Sequence, residues 1–216
     1  MSKTLSIHNH DRDFSKMTYV YPVVSRRAGG VSIGINLNPN NACCWQCIYC
    51  QVPDLKRGSA PHIDLKKLKT ELDQMLYAVT SGDFMHEHVP EGSRQLKDIA
   101  ISGNGEPSSC QDINQVLDIM LDRLQSFQLK LPIVFISNGS FMHRPYMHQA
   151  LDKIQQHGGE VWFKIDRATP ESLKQVNGVE LHKDYLKRQI QFSSQHAKTW
   201  VQSCFFALDD QAPSQH

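Results

Sequence analysis

The chain lacks any long apolar run. Its 216 residues hold no hydrophobic stretch near the ~20 positions a membrane-spanning helix needs, and Leu131–Ile136 is among the longest. A dominant charge sign is also missing: Lys and Arg number 23, Asp and Glu 22, for a net charge of +1. No strong field therefore favours a membrane or a nucleic acid. The basic clusters Lys56-Arg57 and Lys66-Lys67-x-Lys69 read as local, solvated faces. Cysteine is sparse at 6 residues, too few for the disulfide framework of a small secreted domain. The polar N-terminus carries Asp11, Arg12 and Asp13, which excludes a secretion signal there. No internal repeat or low-complexity segment occurs. What remains is a globular composition, 40% hydrophobic and 21% charged, at a length that suits one domain with a sizeable core.

Patterning predicts five strands alternating with helices. Residues 1–30 read as an irregular extension with a short apolar piece at Val20–Val24. Val31–Asn36 alternates apolar and polar residues, a strand period. Leu96–Ser102, Leu131–Ser137, Glu160–Asp166 and Thr199–Leu208 complete the strand set. Asp64 is placed to cap a helix whose Leu65, Leu68, Leu72, Met75, Leu76 and Val79 share one face. Further helices are expected over Asp112–Phe127, from Pro145 to Gly158-Gly159, from Thr169-Pro170 to Gly178, and across Lys183–Ser194. Residues 82–95 read as a polar loop. This alternation predicts a parallel sheet of right-handed βαβ units over residues 31–216. The last strand, with Trp200, Val201, Phe205, Phe206 and Leu208, is too apolar for a bare sheet edge. It is expected to be covered by the N-terminal segment, another chain or a further tail.

The chemistry-bearing residues begin at Cys43-Cys44-Trp45-Gln46-Cys47-Ile48-Tyr49-Cys50. Two cysteine sets are open on spacing alone. Cys44, Cys47 and Cys50 match the spacing of bacterial ferredoxins, whose fourth cysteine three residues on is absent here. Cys43, Cys47 and Cys50 form CxxxCxxC. Three thiolates from one loop would leave one iron of a four-iron cluster open, and an open metal position is where chemistry happens. A structural zinc site needs a further Cys or His pair; Cys110 and Cys204 are isolated, and His86-x-His88 lies in a polar stretch. Other polar motifs fall at the carboxyl ends of the predicted strands, where parallel α/β folds bind ligands. They are Gly103-Asn104-Gly105-Glu106-Pro107, Ser137-Asn138-Gly139 and Lys164-Ile165-Asp166. Each alone suits an ordinary turn or ion pair, but together at one rim they suit a site.

The CxxxCxxC loop with Tyr49 before its last cysteine resembles the cluster loop of the radical S-adenosylmethionine (SAM) superfamily. Ser25-Arg26-Arg27, Cys47-Ile48-Tyr49-Cys50, and Lys164-Ile165-Asp166 followed by Thr169-Pro170-Glu171 are most similar to its wyosine-synthase-like iron–sulfur oxidoreductase branch. The resemblance implies a partial (β/α) barrel, here with five parallel strands and lacking the sixth, so C-terminally short. It implies a [4Fe–4S] cluster on Cys43, Cys47 and Cys50, with Cys44 spare. It implies S-adenosyl-L-methionine held by Gly103, Asn104, Gly105 and Glu106, the last accepting from the methionyl ammonium. Asn138 and Asp166 then meet the ribose or methionyl part. Lys164 meets the carboxylate or orients Asp166, and Tyr49 packs near the adenine.

The implied activity is reductive cleavage of SAM to a 5′-deoxyadenosyl radical that abstracts hydrogen from an unidentified substrate. A small electron donor such as flavodoxin or ferredoxin and a reducing, cytoplasmic setting follow. The tRNA-modifying relatives carry a second cluster or a flavin domain. Here the three remaining cysteines are too scattered to promise a second cluster, and no second domain fits the length. The modest net charge lacks a tRNA-binding signature, and Arg167 stands where related sequences often have a small residue. The tRNA substrate is therefore not carried over. A nucleobase- or nucleoside-modifying enzyme is the second reading. A non-catalytic iron–sulfur or zinc-binding protein is the reading from another class.

Overall fold

The structure, a computed structural model, describes residues 4–6 and 16–208. Its main sheet has six strands in the order β1-β2-β5-β6-β7-β8. These are β1 Val20–Ser25, β2 Gly30–Asn36, β5 Leu96–Ser102, β6 Ile133–Ser137, β7 Glu160–Lys164 and β8 Thr199–Gln202. A second, two-stranded sheet pairs β3 Ala42–Cys43 with β4 Lys56–Arg57. The helices are α1 Leu65–Ser81, α2 Phe84–His88, α3 Ile113–Ser126, α4 Pro145–Gln156, α5 Pro170–Asn177 and α6 Lys183–His196.

From β2 to β8 every pairing is parallel, and spatial order follows chain order. Crossovers of one hand with no reversal of order place all the helices on one face of the sheet. That face carries the apolar half of each strand period: Ile33, Ile35, Ile99, Ile101, Phe135 and Phe163 are all buried in one cluster with the stripes of α1, α3 and α4. Each such side chain contributes roughly 1.5–3 kcal/mol through removal from water. The opposite face carries small and polar residues in register, among them Ser32 beside Asp98 and Asn36 beside Ser102. Arg27 reaches into it to pair with Asp98 at 2.7 Å. An open sheet with helices on its outer face only is a partial (β/α) barrel.

Several expectations are corrected. Val20–Ser25 is a strand, antiparallel to β2, not irregular chain. Pro22 concealed it, yet Pro is tolerated here because β1 is an edge. The entry to β1 is fixed by a distant helix residue: buried Glu71 of α1 accepts from the backbone N–H of Thr18 at 2.9 Å and of Tyr19 at 2.7 Å. Residues 82–95 contain α2 and a 3₁₀ turn at Glu91–Ser93. The last strand ends at Gln202, so Phe205, Phe206 and Leu208 lie beyond it. Among the described residues, no helix is long and apolar enough to cross a membrane.

The N-terminal strand covers the β2 edge, opposite to the one expected. In the sheet order β8 stands at the other end, with Trp200 48% and Val201 56% exposed. Part of that apolar surface is managed by Glu160, which accepts from the indole N–H groups of Trp162 and Trp200, both at 2.8 Å. Amides of residues 199–202 should exchange with deuterium at least about tenfold faster than those of β6, because edge strands open locally at lower free energy. Peptide-resolved exchange checks this, and equal protection would mean that the β8 edge is covered in solution.

Candidate functional site

The cysteine loop leaves the carboxyl end of β2 and is cinched at its base by the β3–β4 pair. Gly105 makes this possible: a Cβ there would lie 2.0 Å from the Ala42 carbonyl oxygen. The glycine motif is thus needed first for contact with the chain's own cysteine segment. Asn36 braces it from below, its Oδ1 accepting from Asn38 N and Asn104 N, each at 3.0 Å.

The far side of the loop is held by the end of α5. Gln46 N donates to Asn177 O at 3.0 Å and Ile48 N to Val176 O at 2.9 Å. Gly178 ends α5 in the left-handed region at φ 63°, and a Cβ there would lie 2.8 Å from Gln46 O. Arg57, expected to be a solvated basic residue, is exposed but bonded. Its guanidinium donates to Cys44 O at 2.6 Å, to the Gln46 side chain at 3.3 Å, and to Gly178 O.

Within the loop, Cys43 and Cys47 are half-buried and Cys50 is exposed. Cys43 Sγ accepts from Trp45 N at 3.4 Å, and Cys47 Sγ from Asn177 Nδ2 at 3.3 Å. Cys44 turns to the β6 rim, with Ser140 Oγ at 3.3 Å and Asn138 Nδ2 at 3.5 Å. The neighbouring Cys43 and Cys44 thiols influence each other most, raising Cys43 and lowering Cys44, and burial raises Cys43 further. Burial also raises the Cys47 thiol, opposed by the Asn177 bond.

Glu106 lies wholly beneath this rim. Its Oε1 accepts from Ser108 N at 2.8 Å and Ser137 Oγ at 2.6 Å, its Oε2 from Asn138 N at 2.7 Å. Burial raises its pKa, and these donors oppose the rise. A ligand ammonium could bind this carboxylate only by displacing or sharing one of the three. Asn138 Oδ1 is likewise engaged, accepting from Ser140 N at 3.0 Å and Ser140 Oγ at 2.7 Å.

Asp166 is the second hub, 3% exposed. Its Oδ2 accepts from Tyr49 OH and from Asn177 Nδ2 at 2.8 Å; its Oδ1 accepts from Cys204 N at 2.9 Å. Lys164 Nζ donates to Tyr49 OH at 2.9 Å and sits over the Tyr49 ring. Burial, then the Asp166 bond, raises the Tyr49 phenol. Arg167 ties the following segment down through Cys204 O at 3.3 Å and stacks on Phe206, whose ring meets Tyr49 edge-on. Tyr49, Lys164 and Asp166, the first more than 100 residues from the other two, therefore form one contact set beside Cys47. Asp166→Ala should unpair three donors and cost about 2–4 kcal/mol in the iron-free protein, readable by denaturant titration. A loss seen only with SAM present would instead mark Asp166 as a ligand contact.

One observation bears on whether a ligand fits this site. Asn177 Oδ1 is buried without a hydrogen-bond partner. Such an acceptor costs roughly 1–3 kcal/mol unless a donor-bearing ligand relieves it. Sequence reasoning missed both Arg57 and Asn177. The helix end near Gly178 was legible, but nothing local marks that it docks on Gln46.

No family model matches the chain. A UPF0026 protein of Helicobacter pylori is 25% identical over 157 residues, covering 72% of this chain and 44% of that protein. A UPF0026 protein of Synechocystis sp. is 24% identical over 170 residues, 75% of this chain and 55% of its own length. A GTPase Obg of Brachyspira hyodysenteriae is 26% identical over 137 residues, 60% of this chain and 17% of that protein. The chain thus spans about half, or less, of the length of these relatives. Among solved structures, anSMEcpe with bound AdoMet superposes with a TM-score of 0.51 at 13% identity, covering 78% of this chain and 41% of the other. The chain shares that structure's fold, a partial (β/α) barrel. A likeness of this kind carries architecture only. In that architecture the cysteine loop, Gly103–Glu106 and Lys164–Asp166 follow β2, β5 and β7 at one end of the sheet.

Proposed function

We propose that this chain is a radical SAM enzyme whose Cys43, Cys47 and Cys50 hold a [4Fe–4S] cluster with one iron left open for SAM. The observation that carries the reading is the three-cysteine loop seated at the carboxyl rim of a partial (β/α)-barrel sheet, clamped by β3–β4 and by the end of α5. When bound, the cluster and SAM supply reductive cleavage to methionine and a 5′-deoxyadenosyl radical, which takes hydrogen from a substrate.

The chain's own residues position and shield. Glu106 fixes the Gly103–Pro107 turn from beneath, so that backbone groups of Gly103, Asn104 and Gly105 face the rim for the methionyl part. Asn138 and Asp166 border the nucleoside, and Lys164 offers the cation for the SAM carboxylate. Tyr49 and Phe206 exclude water beside the loop. The buried acceptor Asn177 Oδ1 supports a donor-bearing ligand in this space. An exposed thiol ligand at Cys50 supports a reducing, cytoplasmic setting and access for a small electron donor.

Anaerobic reconstitution with iron and sulfide tests the reading. About four irons and four sulfides per chain, with broad visible absorption, are expected. One zinc per chain and no sulfide would favour the structural-metal alternative.

A further inference from the structure

The end of α5 contributes a side chain to the cysteine loop as well as backbone. Asn177 is fully buried, and its Nδ2 lies 3.3 Å from Cys47 Sγ and 2.8 Å from Asp166 Oδ2. Asp166 Oδ2 already accepts from Tyr49 OH, so the amide orientation is fixed: turned over, Asn177 Oδ1 would face that acceptor oxygen. Asp166 cannot swing aside, because Tyr49 OH and Cys204 N hold its two oxygens. Nor can the residue drift, because Asn177 O and Val176 O accept from Gln46 N and Ile48 N. The left-handed Gly178 permits this close approach.

We propose that Asn177 is a positioning residue that sets the reduction potential of the cluster, by holding an N–H donor on the Cys47 thiolate. The inference rests on the reading of Cys47 as an iron ligand. Reduction places an extra negative charge on the cluster and its sulfurs. A donor aimed at one of those sulfurs stabilises that charge and raises the potential. Because the donor is buried and shared with an immobile carboxylate, it stays directed in both oxidation states. Asp166 and Asn177 thus connect β7 and α5 to the electronics of a loop that begins at β2.

The test uses anaerobically reconstituted wild-type protein and Asn177→Ala. Redox titration with dithionite, followed by electron paramagnetic resonance, reads the one-electron couple. Asn177→Ala should take up the same iron and sulfide. At a fixed ambient potential its reduced-to-oxidised ratio should be about tenfold lower, a shift of ~59 mV to more negative potential. Resonance Raman spectra in deuterium oxide supply a readout that simple loosening would not move. The wild-type Fe–S stretches should shift on exchange, and Asn177→Ala should lose part of that shift. An unchanged potential, or a changed potential with the full deuterium shift retained, overturns the inference. So does an Asn177→Ala protein that binds no iron, because the residue would then build the loop and not tune it. A wild type that binds no iron and sulfide would refute the cluster reading itself, and this inference with it.

Discussion

Single replacement of Cys43, Cys47 or Cys50 by alanine should reduce bound iron from about four per chain to near none, whereas Cys44→Ala should keep its full complement. The sequence alone leaves two spacings open, and the four thiols differ in their surroundings. Cys47 faces Asn177, Cys50 is exposed, and Cys43 sits on β3 where the loop is cinched. Cys44 instead has polar partners on the β6 rim, Ser140 and Asn138. Losing those weak thiol contacts should cost less than about 1 kcal/mol and leave the fold intact. Iron and sulfide analysis of the four variants checks the assignment. Cluster loss in Cys44→Ala with retention in Cys43→Ala would move the ligand set to Cys44, Cys47 and Cys50.

Glu106→Ala should be the most destabilising substitution at the rim, by about 2–5 kcal/mol, or roughly 5–15 °C in Tm. The carboxylate is buried, and it ties the end of β5 to the end of β6 through Ser137 Oγ and Asn138 N. Ser108 N completes its set, and Ser109 Oγ donates to the Glu106 carbonyl at 2.7 Å. Truncation leaves three donors without an acceptor in a site too enclosed for full hydration. The loss should appear in the iron-free protein. Thermal unfolding with and without SAM separates this brace from a direct ligand contact. A melting temperature unchanged without SAM, but lower with it, would make Glu106 a ligand group first.

Much of the fold was legible because its strands carry buried β-branched runs and its helices carry 3.6-period stripes. Ile33 and Ile35 on β2, or Leu68, Leu72 and Met75 on α1, announce their elements and the face they bury. Strand β1 was not legible, since Pro22 argues against a strand and the anchor at Thr18 and Tyr19 is a glutamate 52 or 53 residues away. The extent of the last strand was overread because Phe205 and Phe206 carry strand-like composition. Their placement is set instead by Asp166, Arg167 and Tyr49. At the site, motif positions were legible but their internal bonding was not. Glu106, Asn138 and Asp166 read as ligand contacts, yet each is hydrogen-bonded to its own chain across distances no local pattern encodes. Arg57 and Asn177 act through the docking of α5 on the loop, a contact spanning 121 to 130 residues.

Formation of 5′-deoxyadenosine and methionine from SAM is the decisive measurement. The assay uses anaerobically reconstituted protein with excess dithionite and mass-spectrometric detection. Both products are expected in equal amounts, dependent on dithionite and absent from Cys47→Ala. A protein carrying its full iron and sulfide that leaves SAM intact under these conditions would contradict the proposed function.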